Sequence, residues 1–172
     1  MLERTQKLFG LYSRNAHLLA PAALLIVRLA WGWELVESGY GHLTHLDQTT
    51  EFFNSLHISM PRANAVISGT TEMVGGTLWM LGLGTRIISV PLLFNFIVAY
   101  LTASHDKVAQ FFRQDPSNFI DDTAFPFLVT SLLMIAFGAG PISLDALIKR
   151  FVPHLSKRPV ENSLAAPALA RA

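Results

Sequence analysis

Four long runs of mostly apolar residues limit what this chain can fold into. A helix needs roughly 20 such residues to cross the ~30 Å hydrocarbon core of a bilayer. The runs cover about residues 18–38, 64–83, 86–104 and 124–140. A water-soluble helix carries an apolar stripe and a polar face. The third and fourth runs carry almost no charge on any face, so lipid rather than water suits their surroundings. Composition agrees: 15% of residues are charged, against ~25% in average soluble domains. The expected fold is all-α, an integral membrane four-helix bundle spanning residues 1–156. Residues 157–172, rich in Pro and Ala, are expected to form a disordered cytoplasmic tail.

Loop charge sets the expected orientation. Nine Lys and Arg fall on the side of the two termini and the 83–86 turn, and three (Arg62, Lys107, Arg113) on the other. The positive-inside bias then puts both termini in the cytoplasm. Basic residues before an apolar run also suit a secretory leader. The run's length, its central Arg28 and the lack of an A-x-A-like site argue for a retained helix. In the first outer loop, Phe52, Phe53 and Leu56 fall at helical spacing before Pro61. They predict a short interfacial helix over the outer mouth.

Chemistry is sparse. There is no cysteine, so the chain carries no disulfide and no thiolate metal site. Net charge is +1 without a basic stripe, which sets nucleic acid aside. No P-loop, dinucleotide fingerprint or G-x-S-x-G is present. His42 and His45 sit at i, i+3, a spacing open to metal chelation, but interfacial histidines in a polar loop are the plainer reading.

What remains are polar residues inside the runs. A charge at the bilayer centre costs roughly 2.5–3.5 kcal/mol on insertion scales, so each needs a reason. Counting from the expected outer ends places Arg28, Glu72 and Asn95 in one layer roughly 12–15 Å deep. Glu72 shares a helix face with Ala65, Ser68, Gly69, Gly75, Gly76 and Trp79, small residues that allow close helix approach. An Arg28–Glu72 pair with Asn95 as neighbour follows as an expectation. Two readings stand: an ion pair that fixes register, or a site for a polar head group. Trp31 and Trp79 would suit a flat ring beside it. Glu34 has no assigned partner; it faces another helix or marks a contact between copies of the chain.

Three stretches carry a resemblance. They are the arginine run "VRLAWGWELVESGYGH", the run "SGTTEMVGGTLWMLGLGTR", and "FGAGPISLDALI" after the fourth segment. Over about Leu24 to Ile148 the chain resembles the DoxX family of small four-helix membrane proteins, related to the DoxD-type subunit of thiosulfate:quinone oxidoreductase. In that family a lysine often follows the first segment; here His42 stands there. The resemblance implies a multi-pass protein of the plasma membrane and a link to redox or oxidative-stress complexes. A quinone held by Arg28, Glu72 and Asn95, with Arg28 polarising a carbonyl oxygen and Glu72 relaying a proton, is the first functional expectation. A soluble redox protein would supply the electrons. A non-enzymatic scaffold for soluble partners is the second, and a solute or proton conduit built from a homo-oligomer the third.

Overall fold

The fold is helical throughout its described part. The structure is a computed structural model that describes residues 2–111 and 117–151, with side chains from residue 19 onward apart from 109, 110 and 118. In chain order the helices are α1 (Leu2–Thr44), α2 (Leu46–Ser55), α3 (Pro61–Leu81), α4 (Thr85–Thr102), α5 (His105–Phe111), α6 (Ser117–Ile120), α7 (Phe125–Phe137) and α8 (Leu144–Phe151). The tail expected over 157–172 lies outside the described residues, as does Arg113.

Among the described residues, two helices are long and apolar enough to cross a membrane: α1 over Leu19–Thr44, and α4. Four were expected. At 1.5 Å per residue α3 spans about 31 Å, but Ser68, Thr70, Thr71 and Glu72 interrupt its apolar character. The 13 residues of α7 are apolar but reach only about 20 Å. It stops early because Gly138 takes φ +72° with ψ −163°, an extended positive-φ conformation open essentially to glycine alone, which breaks the helix.

The departure that matters for the site is at the end of α1. The apolar run was expected to end near Ser38, and the helix continues to Thr44. The "SGYG" stretch reads as a helix end because glycine disfavours helix interiors. Here Gly39 is pressed against the backbone of α3, where a Cβ would meet Gly69 O and Met73 N at 2.5 Å. Gly32, Gly69 and Gly76 complete this seam, so the main chains of α1 and α3 touch over four glycines. Tertiary contact outweighs the local propensity.

The α3–α4 turn behaves as read. Gly82 (φ +67°) closes α3, its N–H donating to Trp79 O, and Leu83 N–H donates to Leu78 O. Helix α2 confirms the short helix expected before Pro61. A core of Leu35, Trp79, Leu92, Phe96 and Met134 is drawn from α1, α3, α4 and α7. Helix α8 was not foreseen. It carries no buried residue; Leu144, Leu147, Ile148 and Phe151 lie exposed, with Lys149 and Arg150 in its last turn.

At the α2 end of the molecule, Asp122 ties α5 to the start of α7. Its carboxylate accepts from Ser104 Oγ (2.6 Å), Lys107 Nζ (2.8 Å) and the Ala124 N–H (2.9 Å). Burial pushes its pKa up, but the hydrogen bonds from Lys107, Ser104 and Ala124 and the charge of Lys107 outweigh this and hold it below the usual value. Folding thus lowers the pKa, and the unfolded chain binds more protons. The stabilisation is fully present above the ordinary value of 3.8 and is lost as pH falls through the folded pKa. Thermal melts in detergent at neutral pH and near pH 3 are expected to differ more in wild type than in Asp122→Asn. Equal pH sensitivity would show that this carboxylate is not the acid-labile element.

Candidate functional site

Glu72 is the centre of the polar cluster. It sits mid-way along α3, on the face that glycine and alanine keep close to α1, and is 5% exposed. Oε2 accepts from Ser38 Oγ of α1 at 2.8 Å. Oε1 accepts from Asn95 Nδ2 of α4 at 2.9 Å and from Ser68 Oγ one turn back at 3.3 Å. A carboxylate inside a helical bundle needs such donors, because an unsatisfied buried acceptor costs about 1–3 kcal/mol or more. Three helices therefore converge on one side chain.

A fifth group completes the cluster. His42 Nδ1 lies 3.3 Å from Glu72 Oε2, and the imidazole is about one-third exposed. The contact is electrostatic rather than a well-aligned hydrogen bond. An imidazole beside a buried carboxylate, open on its other side, is placed to pass a proton between surroundings and bundle interior.

Arg28 does not pair with Glu72. It lies 1% exposed at the far end of α3, where Nη2 donates to the Ile142 carbonyl at 2.6 Å and Nη1 packs on Gly82. The reason is register. Gly39 meets Gly69, and Gly32 meets Gly76 and Met80, so Arg28 is level with the C-terminus of α3. Glu72 is level with Ser38, ten residues further along α1 and hence about 15 Å away. The depth count failed because α1 runs six residues past its expected end. Arg28 is instead the hub of a junction. Asp145 N–H donates to Gly82 O, Gly84 N–H donates to Asp145 Oδ1 (both 3.0 Å), and Arg86 Nη2 donates to Ala136 O at 3.2 Å. The three stretches that carry the family resemblance meet there: the arginine run, the glycine turn and the segment after α7.

The tryptophans do not form an open slot. Trp79 is fully buried and donates from Nε1 to Ser89 Oγ at 2.9 Å. Trp31 packs edge-on against Phe127, centroids 5.6 Å apart. The two candidate metal ligands diverge. His42 faces Glu72, whereas His45 Nδ1 lies 3.1 Å from Thr44 Oγ1 and 3.3 Å from Gly41 O. Among the described residues no three His, Cys, Asp or Glu side chains are grouped to hold a metal ion.

Asn95 and Glu72 are thus brought together, and Arg28, Trp31 and Trp79 lie elsewhere. Ser38 and His42 were missed as members of the site. Their signal was present: Ser38 and His42 are i, i+4, one stripe of α1 if the helix is not ended at Ser38.

Neither curated proteins nor solved structures give a match to this chain. A family model does: residues 23–105 match DoxX. The matched segment contains Arg28, Ser38, His42, Ser68, Glu72 and Asn95. With two helices able to cross a membrane, the match makes this a membrane protein. Over residues 23–105 the chain belongs to the DoxX family.

Proposed function

We propose that this protein is the membrane subunit of a quinone-linked redox complex, a four-helix bundle of the plasma membrane with both termini cytoplasmic. The observation that carries the reading is the Glu72 cluster: a buried carboxylate held by Ser38, Ser68 and Asn95, with half-open His42 against it. Quinone reduction takes up protons, and a carboxylate–imidazole pair inside a spanning bundle supplies a route for them. The Asn95 amide gives one N–H to Glu72 and keeps a second, a donor suited to a carbonyl oxygen. Electrons come from a soluble redox partner, since the chain has no cofactor motif of its own.

The decisive variant is Glu72→Gln. A glutamine still accepts from Asn95 and Ser68 through its carbonyl, and its NH₂ donates to the Ser38 hydroxyl. The fold is expected to survive within about 1 kcal/mol. Binding of a short-chain quinone, followed by quenching of tryptophan fluorescence, is expected to weaken about tenfold, or roughly 1.4 kcal/mol. If the wild-type protein binds no quinone, the reading fails.

A second reading is favoured by α8, whose basic last turn and exposed apolar face suit a scaffold for soluble partners. Under it, Glu72→Gln leaves complex assembly and complex activity unchanged.

A further inference from the structure

Helix α1 presents its outer face along a regular repeat. Leu19, Ala23, Ile26, Ala30, Trp33, Glu37, Tyr40 and Thr44 follow one another at alternating steps of four and three, and every one is exposed. Such spacing keeps one stripe of a helix facing a partner helix along its whole length. The stripe runs opposite Arg28 and the α3 seam, on the segment long and apolar enough to cross a membrane.

Two carboxylates sit on this surface, Glu37 in the stripe and Glu34 at its edge. Both are exposed, and neither has an ion-pair or hydrogen-bond partner among the described residues. Glu34 is ten residues before the end of α1, about 15 Å below it. Acidic residues within spanning helices face protein or water, not lipid. Something other than hydrocarbon therefore covers this face.

The face complements itself. It offers carboxyl acceptors at Glu34 and Glu37, and donors one turn to either side: the Trp33 indole N–H (the ring 60% exposed) and the Tyr40 hydroxyl (61% exposed). One turn before Trp33, Ala30 is small, so a second helix can approach closely there. Two parallel copies related by a two-fold axis would set like residues level, with the Trp33 and Tyr40 donors of one copy within a turn of Glu37 of the other.

We propose that α1 forms a parallel two-fold interface between two copies of this chain, held by hydrogen bonds to Glu34 and Glu37. This inference is independent of the quinone reading: it concerns the opposite face of α1.

The chain has no cysteine, which makes single-cysteine cross-linking clean. Full-length protein in phospholipid vesicles, at high lipid-to-protein ratio, would carry Ala30→Cys on the stripe or Phe94→Cys on the exposed side of α4. The expected result is a disulfide-linked dimer from Ala30→Cys and little from Phe94→Cys. Single-molecule photobleaching should count two copies for wild type. It should count two for Glu34→Gln/Glu37→Gln, whose amides still accept and donate, and one for Glu34→Leu/Glu37→Leu. Circular dichroism is the check that each variant remains helical. A wild-type monomer, equal cross-linking from both cysteines, or an undiminished dimer in the leucine variant would each overturn the proposal.

Discussion

Gly76→Val is expected to be the most damaging single substitution in this protein. A Cβ at Gly76 meets the Gly32 carbonyl, Leu35 Cβ at 2.8 Å and Val36 N at 3.0 Å. Two of these three are main-chain atoms of a continuous helix and cannot swing aside. Overpacking against movable side chains costs about 1–3 kcal/mol. Here the helices must separate, so the cost should reach the top of that range or pass it. Separation also pulls Ser38 and His42 from Glu72, leaving its carboxylate short of donors. Loss of a monodisperse species in detergent and of cooperative melting is the expected readout. Gly41→Ala is the control. Nothing lies within 4 Å of its Cβ position, and alanine favours a helix interior over glycine by about 1 kcal/mol. A stable Gly76→Val protein would show that the α1–α3 seam is not set by backbone contact.

Arg28 gives the second large effect, and its two variants separate structure from chemistry. Its guanidinium links α1 to the Ile142 carbonyl and packs on Gly82, while Nε and Nη1 have no acceptor. Arg28→Ala removes the bond and opens a cavity between three segments. Truncating a large buried side chain to alanine costs about 2–5 kcal/mol. The segment from Pro141 to Phe151 should then become protease-sensitive. Arg28→Met keeps most of the volume and removes two unsatisfied donors. Filling the same space with an apolar side chain avoids both the cavity and the unpaired buried donors, and gives up only the bond to Ile142. Limited proteolysis and melting should therefore place Arg28→Met near wild type. If the methionine variant folds normally but loses quinone binding, Arg28 belongs to the ligand site after all.

Much of the helical framework could be read from the residues. The runs around Leu92–Leu101 and Phe125–Phe137 are too apolar for any helix in water, and the Gly82–Gly84 turn carries its own stop signals. Glu72 could be assigned to the bundle interior because small residues share its face. Asn95 could be assigned to the same layer because its helix entered the count at nearly the right point. Arg28 could not be placed. Its acceptor is a main-chain carbonyl 114 positions away, and any residue type at Ile142 would present the same oxygen. His42 was set in an outer loop for a related reason: in isolation, Gly39 and Gly41 argue for a helix end. Helix α8 escaped notice because eight residues hold too few apolar positions to stand out beside spans of twenty.

The sequence by itself determined that this chain is helical, that it belongs in a membrane, and that a few polar side chains must be buried there. Hydropathy and helical period are local properties, written every three or four residues. Only the tertiary structure decided which of those side chains meet. That depends on how far α1 slides along α3, and the slide is fixed where four glycines let two backbones touch. A shift of one heptad, about 10 Å, would have brought Arg28 most of the way to Glu72. The register observed gives Glu72 to Ser38, His42 and Asn95, and gives Arg28 to the junction at the other end.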